Sequence, residues 1–520
     1  MIKPPTLAMR RYLRTVFFAF AGCKRAYSDN FLSNWMGHLG PVLANQTLLD
    51  LTLPGTHDTM TYDLSTTIAD GGIDDANWLA SLLHQFGHLG GIGGFIRKQA
   101  QTQVLTVTQQ LDNGIRFLDF RIMRTGGQWR CLHMLQTQNK AATYLREVRD
   151  WLDAHPSEVI VIWLSKHGSP CKNGSDQYPS VPPSAKQAFW KEIQGIFSGL
   201  LVDTTASSLS DTSISALVSR SHRAIIFATD FAEFTGGNTV HAFDGCLVDN
   251  PLSMSNVANL SLNGDLKTFA NFSSRRAVDR AHGQFLLESM ANSPPDSAIE
   301  SAAKIRFLPG ATSGIKDCAM AFHIPGMMQW CPERLFDVSQ LTNYYKQSTL
   351  DAAYAAGFEF PNAIYIDAVA PGGLIRTGAQ PLSITNISQI CDIYRWTSCT
   401  SHVPSCSEGW SPSGEKAHSS CYDSDGGKHG ACALAWQDHF KCCRDRDGEH
   451  GASAFAYVDT LLAVNVRRAC ANANPVLRQQ CSSLAATLAT RRTRFPRTLW
   501  NDVATGRLDD WPKQGTAVYV

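Results

Sequence analysis

Short, almost unbroken apolar runs recur between Leu48 and Ile366, and segments with helical periodicity separate them. The clearest run is Val159 to Leu164, which follows His155-Pro156-Ser157. Strands that are buried on both faces have this continuous apolar character, and their alternation with helices is typical of a parallel sheet. We therefore predict strands at the following runs: Leu48–Leu53, Ile115–Ile122, Val159–Leu164, Ala224–Ala228, Cys246–Val248, Phe285–Leu287 and Ala363–Ile366.

A closed barrel accounts for this number of strands better than an open sheet. About 340 residues with roughly seven or eight strands are typical of a (βα)8 barrel. An open doubly wound sheet stays an alternative, although no Gly-rich dinucleotide fingerprint follows the first strand. The predicted fold class is α/β, a TIM-type (βα)8 barrel with some distortion, followed by a C-terminal disulfide-rich module. Helical spacing of Tyr144, Leu145, Val148, Trp151 and Leu152 predicts the helix before the third strand.

Charge and hydropathy exclude two classes of partner. Lys and Arg number 46 against 45 Asp and Glu, so the chain lacks the basic footprint of a nucleic-acid-binding protein. No stretch reaches the ~18 consecutive apolar residues that a transmembrane helix needs. We therefore expect no nucleic acid partner, no transmembrane segment, and at most a peripheral contact with a membrane.

The N-terminus and the cysteines favour a secreted protein. Basic residues precede a short apolar run at Val16 to Ala21, an order that resembles a secretory leader over residues 1–26, although an ordinary basic amphipathic segment is the alternative. Fifteen cysteines are present, nine of them between Cys391 and Cys481, and this density is typical of disulfides formed in an oxidising compartment. Removal of a leader ending at Cys23 would leave 14, which permits full pairing. Five glycosylation sequons point the same way, at Asn45, Asn173, Asn259, Asn271 and Asn386.

Changes in residue composition and hydrophobic pattern divide the chain into regions. We assign residues 27–385 to the barrel, 386–450 to a loop-rich cysteine module and 451–520 to a helical C-terminal extension, in which Cys470 and Cys481 bracket a helical hairpin. Histidines accompany the cysteines of the module, but no Cys-x-x-Cys pair appears, so disulfides are preferred over zinc. Glycines punctuate Asp70 to Gly94, which we interpret as a lid or pocket rim, with a packed surface loop as the alternative.

Two stretches carry the residues that point to chemistry. Pro54-Gly55-Thr56-His57-Asp58 places a histidine and an aspartate at the end of the first strand, the edge where barrel active sites are built. Gln110-Leu111-Asp112-Asn113-Gly114-Ile115-Arg116-Phe117-Leu118-Asp119-Phe120-Arg121 is followed by His133, and strand alternation puts Asp119 and Arg121 on one face. Such charges are costly inside a barrel unless they are paired or used; an internal Asp119–Arg121 salt bridge is the purely structural alternative.

In order and spacing, these motifs resemble the catalytic X domain of phosphatidylinositol-specific phospholipase C, of the bacterial metal-independent type. The resemblance covers roughly residues 45–170, including the strand after His155-Pro156-Ser157-Glu158, and thins toward Asp367. It implies an enzyme, a phosphodiesterase that cleaves phosphatidylinositol-type lipids to diacylglycerol and a cyclic inositol phosphate at a membrane surface.

The resemblance also implies roles for individual residues. His57 matches the general base that takes the proton of the inositol 2-hydroxyl, and His133 matches the general acid that protonates the departing glycerol oxygen. Asp58 is the expected carboxylate partner of His133, and Asp367 is the candidate that orients His57. Arg121, with Asp119 beside it, would neutralise the phosphate.

Two further residues and the cofactor requirement follow from the same resemblance. Lys166 and Arg116 are expected to bind the substrate. Calcium-dependent family members have a carboxylate where Arg121 stands, and a guanidinium there would repel a divalent cation, so we expect no metal and no cofactor.

One departure from the family keeps other interpretations open. The family has glycine after the second histidine, whereas Met134 follows His133 here and adds bulk where the backbone approaches substrate. His167 is an alternative acid. The alternative functions are a glycerophosphodiester or sphingomyelin phosphodiesterase, and a catalytically silent X-like domain that binds lipid headgroups.

Overall fold

A computed structural model of the chain describes residues 31–70, 91–166, 181–202 and 209–228 continuously, followed by shorter segments up to residue 481. The later segments include 285–291, 352–369, 410–419, 437–444 and 456–471. The leader interpretation at 1–26, most of the lid interpretation between 71 and 90, and His167 lie outside the described residues. Four of the five sequons lie outside them as well, while Asn45 is described and exposed.

A parallel sheet forms the centre of the molecule. Its strands in chain order are β1 (Leu53–Thr56), β3 (Phe117–Thr125), β6 (Ile160–Ser165), β7 (Ala224–Phe227), β8 (Cys246–Asp249), β9 (Phe285–Met290) and β10 (Ala363–Ile366). Parallel pairing runs β7-β6-β3-β1-β10-β9-β8 across the sheet. The predicted alternation of strands and helices is therefore correct, and the fold is mixed α/β with a central sheet.

An antiparallel branch extends the sheet on one side of β3. It contains β2 (Leu64–Ile68), β4 (Gln128–His133) and β5 (Leu135–Lys140), in the order β2-β5-β4-β3. The nine residues of β3 are enough to pair with β1 and β6 near its start and with β4 near its end. β4 turns back at this end and carries His133 as its last residue.

Closure of the sheet into a barrel stays a prediction. The two outer strands of the parallel order are β7 and β8, and among the described residues no pairing joins them. The described helices are α1 (Trp35–His38), α2 (Gly40–Leu43), α3 (Ile92–Ala100), α4 (Val107–Asp112), α5 (Ala141–Ala154), α6 (Pro183–Ile196), α7 (Ile214–Ser219) and α8 (Ala456–Ala471). Helix α5 confirms the helix predicted before the third strand. In the part of the chain that is described, no helix has the length and apolar character to cross a membrane.

The predicted strand at Leu48–Leu53 is only partly correct. Residues Leu48–Asp50 form a 3-10 helix, and the strand covers Leu53–Thr56 instead. The cause is local: the backbone N–H and the hydroxyl of Thr47 both donate to Asp50 Oδ2, at 2.8 and 3.0 Å. A capping box of this kind favours a helical turn over an extended conformation.

Helix α8 belongs to the same hydrophobic core as β1. Nearly every described side chain along it is buried, which is typical of a helix enclosed on all sides. Tyr457 Oη accepts the N–H of Gly55 at 2.6 Å and lies 2.8 Å from the Ile364 carbonyl oxygen, so one phenol bridges β1 and β10. Asn465 Oδ1 accepts the N–H of Thr52 at 2.6 Å. The region assigned to a C-terminal extension therefore contributes a helix to the central fold.

Two cysteine environments bear on the disulfide prediction. Cys470 and Cys481 form a disulfide with a Cα–Cα distance of 6.1 Å, and both are buried. Cys131 in β4 is a buried free thiol, so the 14 cysteines that follow Cys23 are not all paired. Within 386–450, the chain forms a three-stranded antiparallel sheet of β11 (Arg395–Trp396), β12 (Trp410–Ser419) and β13 (Gln437–Arg444), a more regular structure than the expected loops. Disulfides within that module stay a prediction.

Candidate active site

Six of the eight predicted site residues meet at the carboxyl ends of the strands. His57 follows β1 directly, Asp119 and Arg121 belong to β3, His133 ends β4 and Asp367 follows β10. The remaining member of the cluster is Asp58, beside His57. Parallel pairing of β1 with both β3 and β10 brings these strand ends together, although 310 residues separate His57 from Asp367.

Both ring nitrogens of His57 are engaged. Nδ1 lies 2.7 Å from Asp367 Oδ1, and Nε2 lies 2.7 Å from Arg121 Nη2. A guanidinium can only donate, so Nε2 accepts and Nδ1 carries the proton that it donates to the carboxylate. This tautomer leaves the Nε2 lone pair as the basic site of the ring.

Asp58 contacts three of the other members of the cluster. Its Oδ1 lies 2.7 Å from Arg121 Nε, and its Oδ2 lies 3.4 Å from His57 Nε2 and 3.3 Å from His133 Nδ1. The side chain has no exposed area. A buried carboxylate requires nearby positive charge or donors, and here it sits between two imidazoles and a guanidinium.

Asp119 on β3 lies next to Asp58 and is also fully buried. Its Oδ2 accepts the backbone N–H of Asp58 at 3.1 Å and lies 3.3 Å from Arg121 Nε. The salt bridge between Asp119 and Arg121, which the sequence offered as a structural alternative, therefore coexists with a place in the cluster.

His133 is the most exposed of these side chains, with 20% of its side-chain area accessible. Its Nδ1 donates to the carbonyl oxygen of Ala100 at 2.6 Å, and its ring centre lies 6.2 Å from that of His57. The Nε2 atom is therefore the nitrogen available to transfer a proton.

The pKa values of the cluster shift with burial and with neighbouring charge. Burial lowers the pKa of His57, but the carboxylates Asp58 and Asp367 outweigh it, so the pKa is raised above its ordinary 6.5. Burial raises the pKa of Asp58, but Arg121 and the two histidines outweigh it, so the pKa lies below the usual 3.8. Burial and the charge of Asp58 raise the pKa of Asp119, and Arg121 only partly offsets them. The two acids therefore differ in the direction of their shifts, as expected of a buried carboxylate pair.

Left-handed backbone conformations cluster around the same residues. Among the described residues, four non-glycines have a positive φ, and three belong to this region: Asp58 at 45°, Met134 at 60° and Ala368 at 55°. Such conformations cost roughly 1–2 kcal/mol each for non-glycine residues. Met134 thus retains the backbone conformation that glycine adopts most readily, and only the side chain departs from the family pattern.

Polar side chains behind His57 were not identified from the sequence. Gln103 Nε2 donates to the carbonyl oxygens of His57 and Ile366, at 3.0 and 2.9 Å, and Thr102 Oγ1 lies 3.0 Å from the same His57 oxygen. The ring of Tyr365 stacks under His57 with centres 5.5 Å apart. Contacts from side chains to distant backbone atoms have no sequence periodicity, so the pattern of the sequence does not predict them.

A metal ion at this site would compete with Arg121 for the carboxylates of Asp58 and Asp119. His57, Asp58 and Asp119 each offer a ligand atom, all within 4.8 Å of one another. The Nε atom of Arg121 is 2.7 and 3.3 Å from the two carboxylates and supplies their positive charge. A divalent cation in this position would face a fixed guanidinium, so the donor set fits a metal poorly.

Arg116 lies just before the start of β3, away from the cluster, which corrects its assignment as a substrate-binding residue. Its side chain is fully buried, and Nη2 is 2.7 Å from Glu158 Oε2. Further N–H groups donate to backbone carbonyls, including those of Leu111 and Ser33. Five residues along a strand separate Arg116 from Arg121, or roughly 16 Å. Arg116 therefore links the N-terminal segment to the base of the sheet.

Lys166 is placed at the same edge as the cluster. It follows Ser165, the last residue of β6, and Ser165 is the register partner of Arg121 on β3. The side chain is partly exposed. This position is compatible with contact to a substrate that binds over Arg121.

Fold and site together define an α/β protein in which two histidines lie beside an arginine at the strand ends of the central sheet. Comparison with known proteins makes this more specific: part of the chain matches the PI-PLC X-domain family. Residues 92–173 match the family model described as PI-PLC X 1. This range includes Asp119, Arg121 and His133, whereas His57 and Asp367 lie outside it.

Curated relatives carry the same domain. The chain is 38% identical over 136 residues to mouse "PI-PLC X domain-containing protein 1", and the match covers 25% of this chain and 38% of the relative. The human protein of that name is 36% identical over 143 residues, which cover 26% of this chain and 43% of the relative. The chain thus matches less than half the length of these relatives.

Solved structures similar to the chain include two bacterial enzymes. Phosphatidylinositol-specific phospholipase C from Staphylococcus aureus has a TM-score of 0.40 and 14% identity, covering 68% of this chain and 96% of that one. The enzyme of the same name from Listeria monocytogenes has a TM-score of 0.35 and 14% identity, covering 65% and 93%.

Proposed function

We propose that the protein is a phosphodiesterase that cleaves phosphatidylinositol-type lipids by general acid–base catalysis, with His57 as the base and His133 as the acid. The observation that carries this proposal is the pair of imidazoles 6.2 Å apart, with Asp58 and Arg121 in contact with His57 and with each other. A phosphodiester placed over Arg121 would have one histidine on each side. This is the arrangement that an in-line displacement at phosphorus requires.

His57 is suited to the role of base. Asp367 holds its Nδ1 proton, so Nε2 accepts the proton of the inositol 2-hydroxyl. The 2-oxygen then forms the new bond to phosphorus, while the bond from phosphorus to the glycerol oxygen breaks. The products are a cyclic inositol phosphate and, after protonation, diacylglycerol.

His133 supplies the proton for the departing glycerol oxygen. Its Nδ1–H is held by the Ala100 carbonyl oxygen, and Asp58 Oδ2 at 3.3 Å stabilises the imidazolium. A fifth of its side-chain area is accessible, and we propose that the leaving group reaches Nε2 from the solvent.

Arg121 supplies positive charge to the phosphate. In the free protein, its guanidinium contacts Asp58, Asp119 and His57. A phosphate oxygen would compete with His57 Nε2 for the Nη2–H, so substrate binding would also free the base. Because Arg121 provides this charge, we propose that neither a metal nor a cofactor takes part. Lys166 is proposed to contact the headgroup.

We propose that the central sheet closes into a distorted (βα)8 barrel and that the protein acts while bound peripherally to a membrane surface. The Cys470–Cys481 disulfide supports secretion, since disulfides persist in oxidising compartments. The exposed position of Asn45 is compatible with glycosylation of that sequon.

The test is release of diacylglycerol and cyclic inositol phosphate from phosphatidylinositol vesicles in excess chelator. Wild type would be compared with His57→Ala and His133→Ala, and with His155→Ala as the control. His155 stacks on Trp151 at the end of α5 and does not contact the cluster. We expect chelator-resistant activity in wild type and the control, and its loss in the two other variants.

Two outcomes would contradict the proposal. Activity that appears only with added calcium would overturn the metal-free mechanism. A folded wild type without activity, with or without calcium, would favour a different phosphodiester or a silent domain that binds lipid headgroups.

A further inference from the structure

The segment Ala100–Gln103 passes behind both histidines of the candidate site. It begins at the last residue of α3 (Ile92–Ala100) and precedes α4 (Val107–Asp112). Thr102 and Gln103 are fully buried. Polar side chains buried to this extent must satisfy their hydrogen bonds within the protein, so their partners indicate what the segment holds in place.

The Gln103 amide joins the two strand ends that carry His57 and Asp367. Its Nε2 donates to the His57 carbonyl oxygen at 3.0 Å and to the Ile366 carbonyl oxygen at 2.9 Å. Its Oε1 accepts the N–H of Val369 at 3.1 Å. Two carbonyls on one side and an N–H on the other fix the orientation of the amide.

Neighbouring atoms reinforce the same junction. Thr102 Oγ1 donates to the His57 carbonyl oxygen at 3.0 Å, and the Thr102 carbonyl oxygen accepts the N–H of Ala368 at 2.7 Å. His57 N–H donates to the Ile366 carbonyl oxygen at 3.0 Å. Asp367 therefore lies between two backbone positions, 366 and 368, that hydrogen bonds connect to His57 or to the segment behind it.

We infer that Gln103 is a positioning residue for the proposed reaction, one that holds the His57 imidazole against Asp367 by fixing the backbones of both. This inference rests on the proposed function for its catalytic meaning, but the geometry that it describes exists without substrate. Gln103 does not reach the ring of His57, so it acts only through the backbone.

The physical basis is the sensitivity of the His57–Asp367 bond to backbone placement. At 2.7 Å, this charge-assisted bond has little room for displacement before it weakens. The two residues follow different strands and are 310 positions apart, so only tertiary contacts set their separation. A displacement of about 1 Å at a catalytic group can cost on the order of 100-fold in rate.

The charges around His57 determine in which direction such a displacement would change its pKa. Its ring is surrounded by Asp58, Asp367, Arg121 and His133, and by Tyr365 beneath it, with Asp119 further inside. Burial lowers the pKa of His57, and the two nearest carboxylates raise it above 6.5. If Asp367 moves away, one of the raising contributions weakens and the pKa falls.

The test compares Gln103→Met with Gln110→Met. Gln110 is equally buried, and its Nε2 also donates to two carbonyl oxygens, those of Thr59 at 2.9 Å and Leu105 at 2.7 Å. It does not bridge His57 and Asp367. Both substitutions keep the side-chain length and remove the amide, so their effects on folding should be similar.

NMR titration of the histidine rings in the absence of substrate is the primary readout. We expect Gln103→Met to lower the pKa of His57 and to weaken the Nδ1–H resonance of its bond to Asp367, whereas Gln110→Met leaves both unchanged. In the vesicle assay, we expect a fall in kcat of about 10- to 100-fold in Gln103→Met, with KM unchanged.

Gln103→Leu provides a second variant in case the methionine protein does not fold. It removes the amide without adding a charge, so the same lowered pKa of His57 is expected. An unchanged His57 pKa and Nδ1–H resonance in the folded Gln103 variants would overturn the inference. Failure of the proposed function would appear separately, as an inactive wild type whose ring titration still depends on Gln103.

Discussion

Arg121 Nη2 donates a hydrogen bond to His57 Nε2 at 2.7 Å, so the proposed phosphate ligand masks the proposed base in the free protein. The same guanidinium is held by Asp58 through Nε at 2.7 Å. Arg121 can therefore pivot about its contact with Asp58 when a phosphate takes the place of His57. Binding of the anion and exposure of the base would then be a single event.

Replacement of Arg121 by Lys tests this dual role. A lysine keeps the charge but lacks the planar fork that reaches Asp58 and His57 together. We expect kcat to fall about 10²- to 10³-fold, comparable to loss of one electrostatic donor to a transition state. The measurement is vesicle hydrolysis, with Arg124→Lys on the opposite face of β3 as the control. Equal activity of both variants would contradict the role of the fork.

Asp367→Asn tests the pairing that orients His57. The proposed mechanism needs His57 neutral, so activity should rise with pH through the His57 pKa. Since Asp367 is one of the groups that raise the His57 pKa, its neutralisation should move the rising limb to lower pH. The maximal rate should fall by about 100-fold or more.

The pH profile of kcat/KM measures this shift. Asp112→Asn is the control, because Asp112 accepts a hydrogen bond from Trp151 away from the cluster. A rising limb at the same pH in wild type and Asp367→Asn would show that another group sets the protonation of the base.

A comparison of Met134 with Met123 measures the free-energy cost of the left-handed backbone conformation at Met134. Each side chain is 6% exposed, but only Met134 has a positive φ, of 60°. Truncation to glycine removes similar apolar burial from each, roughly 1.5–3 kcal/mol. At Met134, glycine also relieves about 1–2 kcal/mol of backbone strain, whereas in the strand at Met123 it costs about 0.5–1 kcal/mol more.

We therefore expect Met134→Gly to be about 2 kcal/mol less destabilising than Met123→Gly, as measured by urea unfolding. Met134→Gly should also keep its vesicle activity, since it restores the residue type that the family has after the second histidine. Equal unfolding free energies for the two variants would rule out strain at Met134.

Glu158→Gln tests the structural role of Arg116. Removal of one partner of a fully buried ion pair leaves the other charge uncompensated, which costs about 3–5 kcal/mol. Glu158 also accepts the backbone N–H of Gly37 at 2.9 Å, so the N-terminal segment loses an anchor. The control is Glu192→Gln at the exposed Arg146–Glu192 pair, expected to cost at most about 1 kcal/mol. Urea unfolding distinguishes the two, and similar losses would contradict the assignment.

The sequence predicted the strands best where burial alone determines them. Val159–Leu164 and Ala363–Ile366 agree with β6 and β10 to within one residue, because both strands are buried on both faces. Leu48–Asp50 was misassigned because an apolar run does not by itself distinguish a strand from a helical turn. The Thr47-x-x-Asp50 spacing was the available signal.

The sequence predicted those site residues whose positions follow from being at the end of a predicted strand. His57, Asp119 and Arg121 belong to motifs at such ends, and the structure brings them together. Arg116 belongs to the same motif but precedes the strand, and its distance from Arg121 along β3 removes it from the site. Gln103 could not be found from its sequence, because its role depends on carbonyls that only the folded chain brings near.

Helix α8 determines when this protein can complete its fold during synthesis. Tyr457 and Asn465 bond to the backbone of residues 55 and 52, across 402 and 413 positions of the chain. At ~5–20 residues per second, the ribosome needs roughly 20–80 s to deliver those partners after the first strand emerges. Until then, β1 lacks α8 and the bridge that Tyr457 makes between β1 and β10, so the strand end that precedes His57 lacks part of its packing. Assembly of the candidate site is therefore a late event in folding, and a nascent chain that lacks α8 would present β1 without its cover.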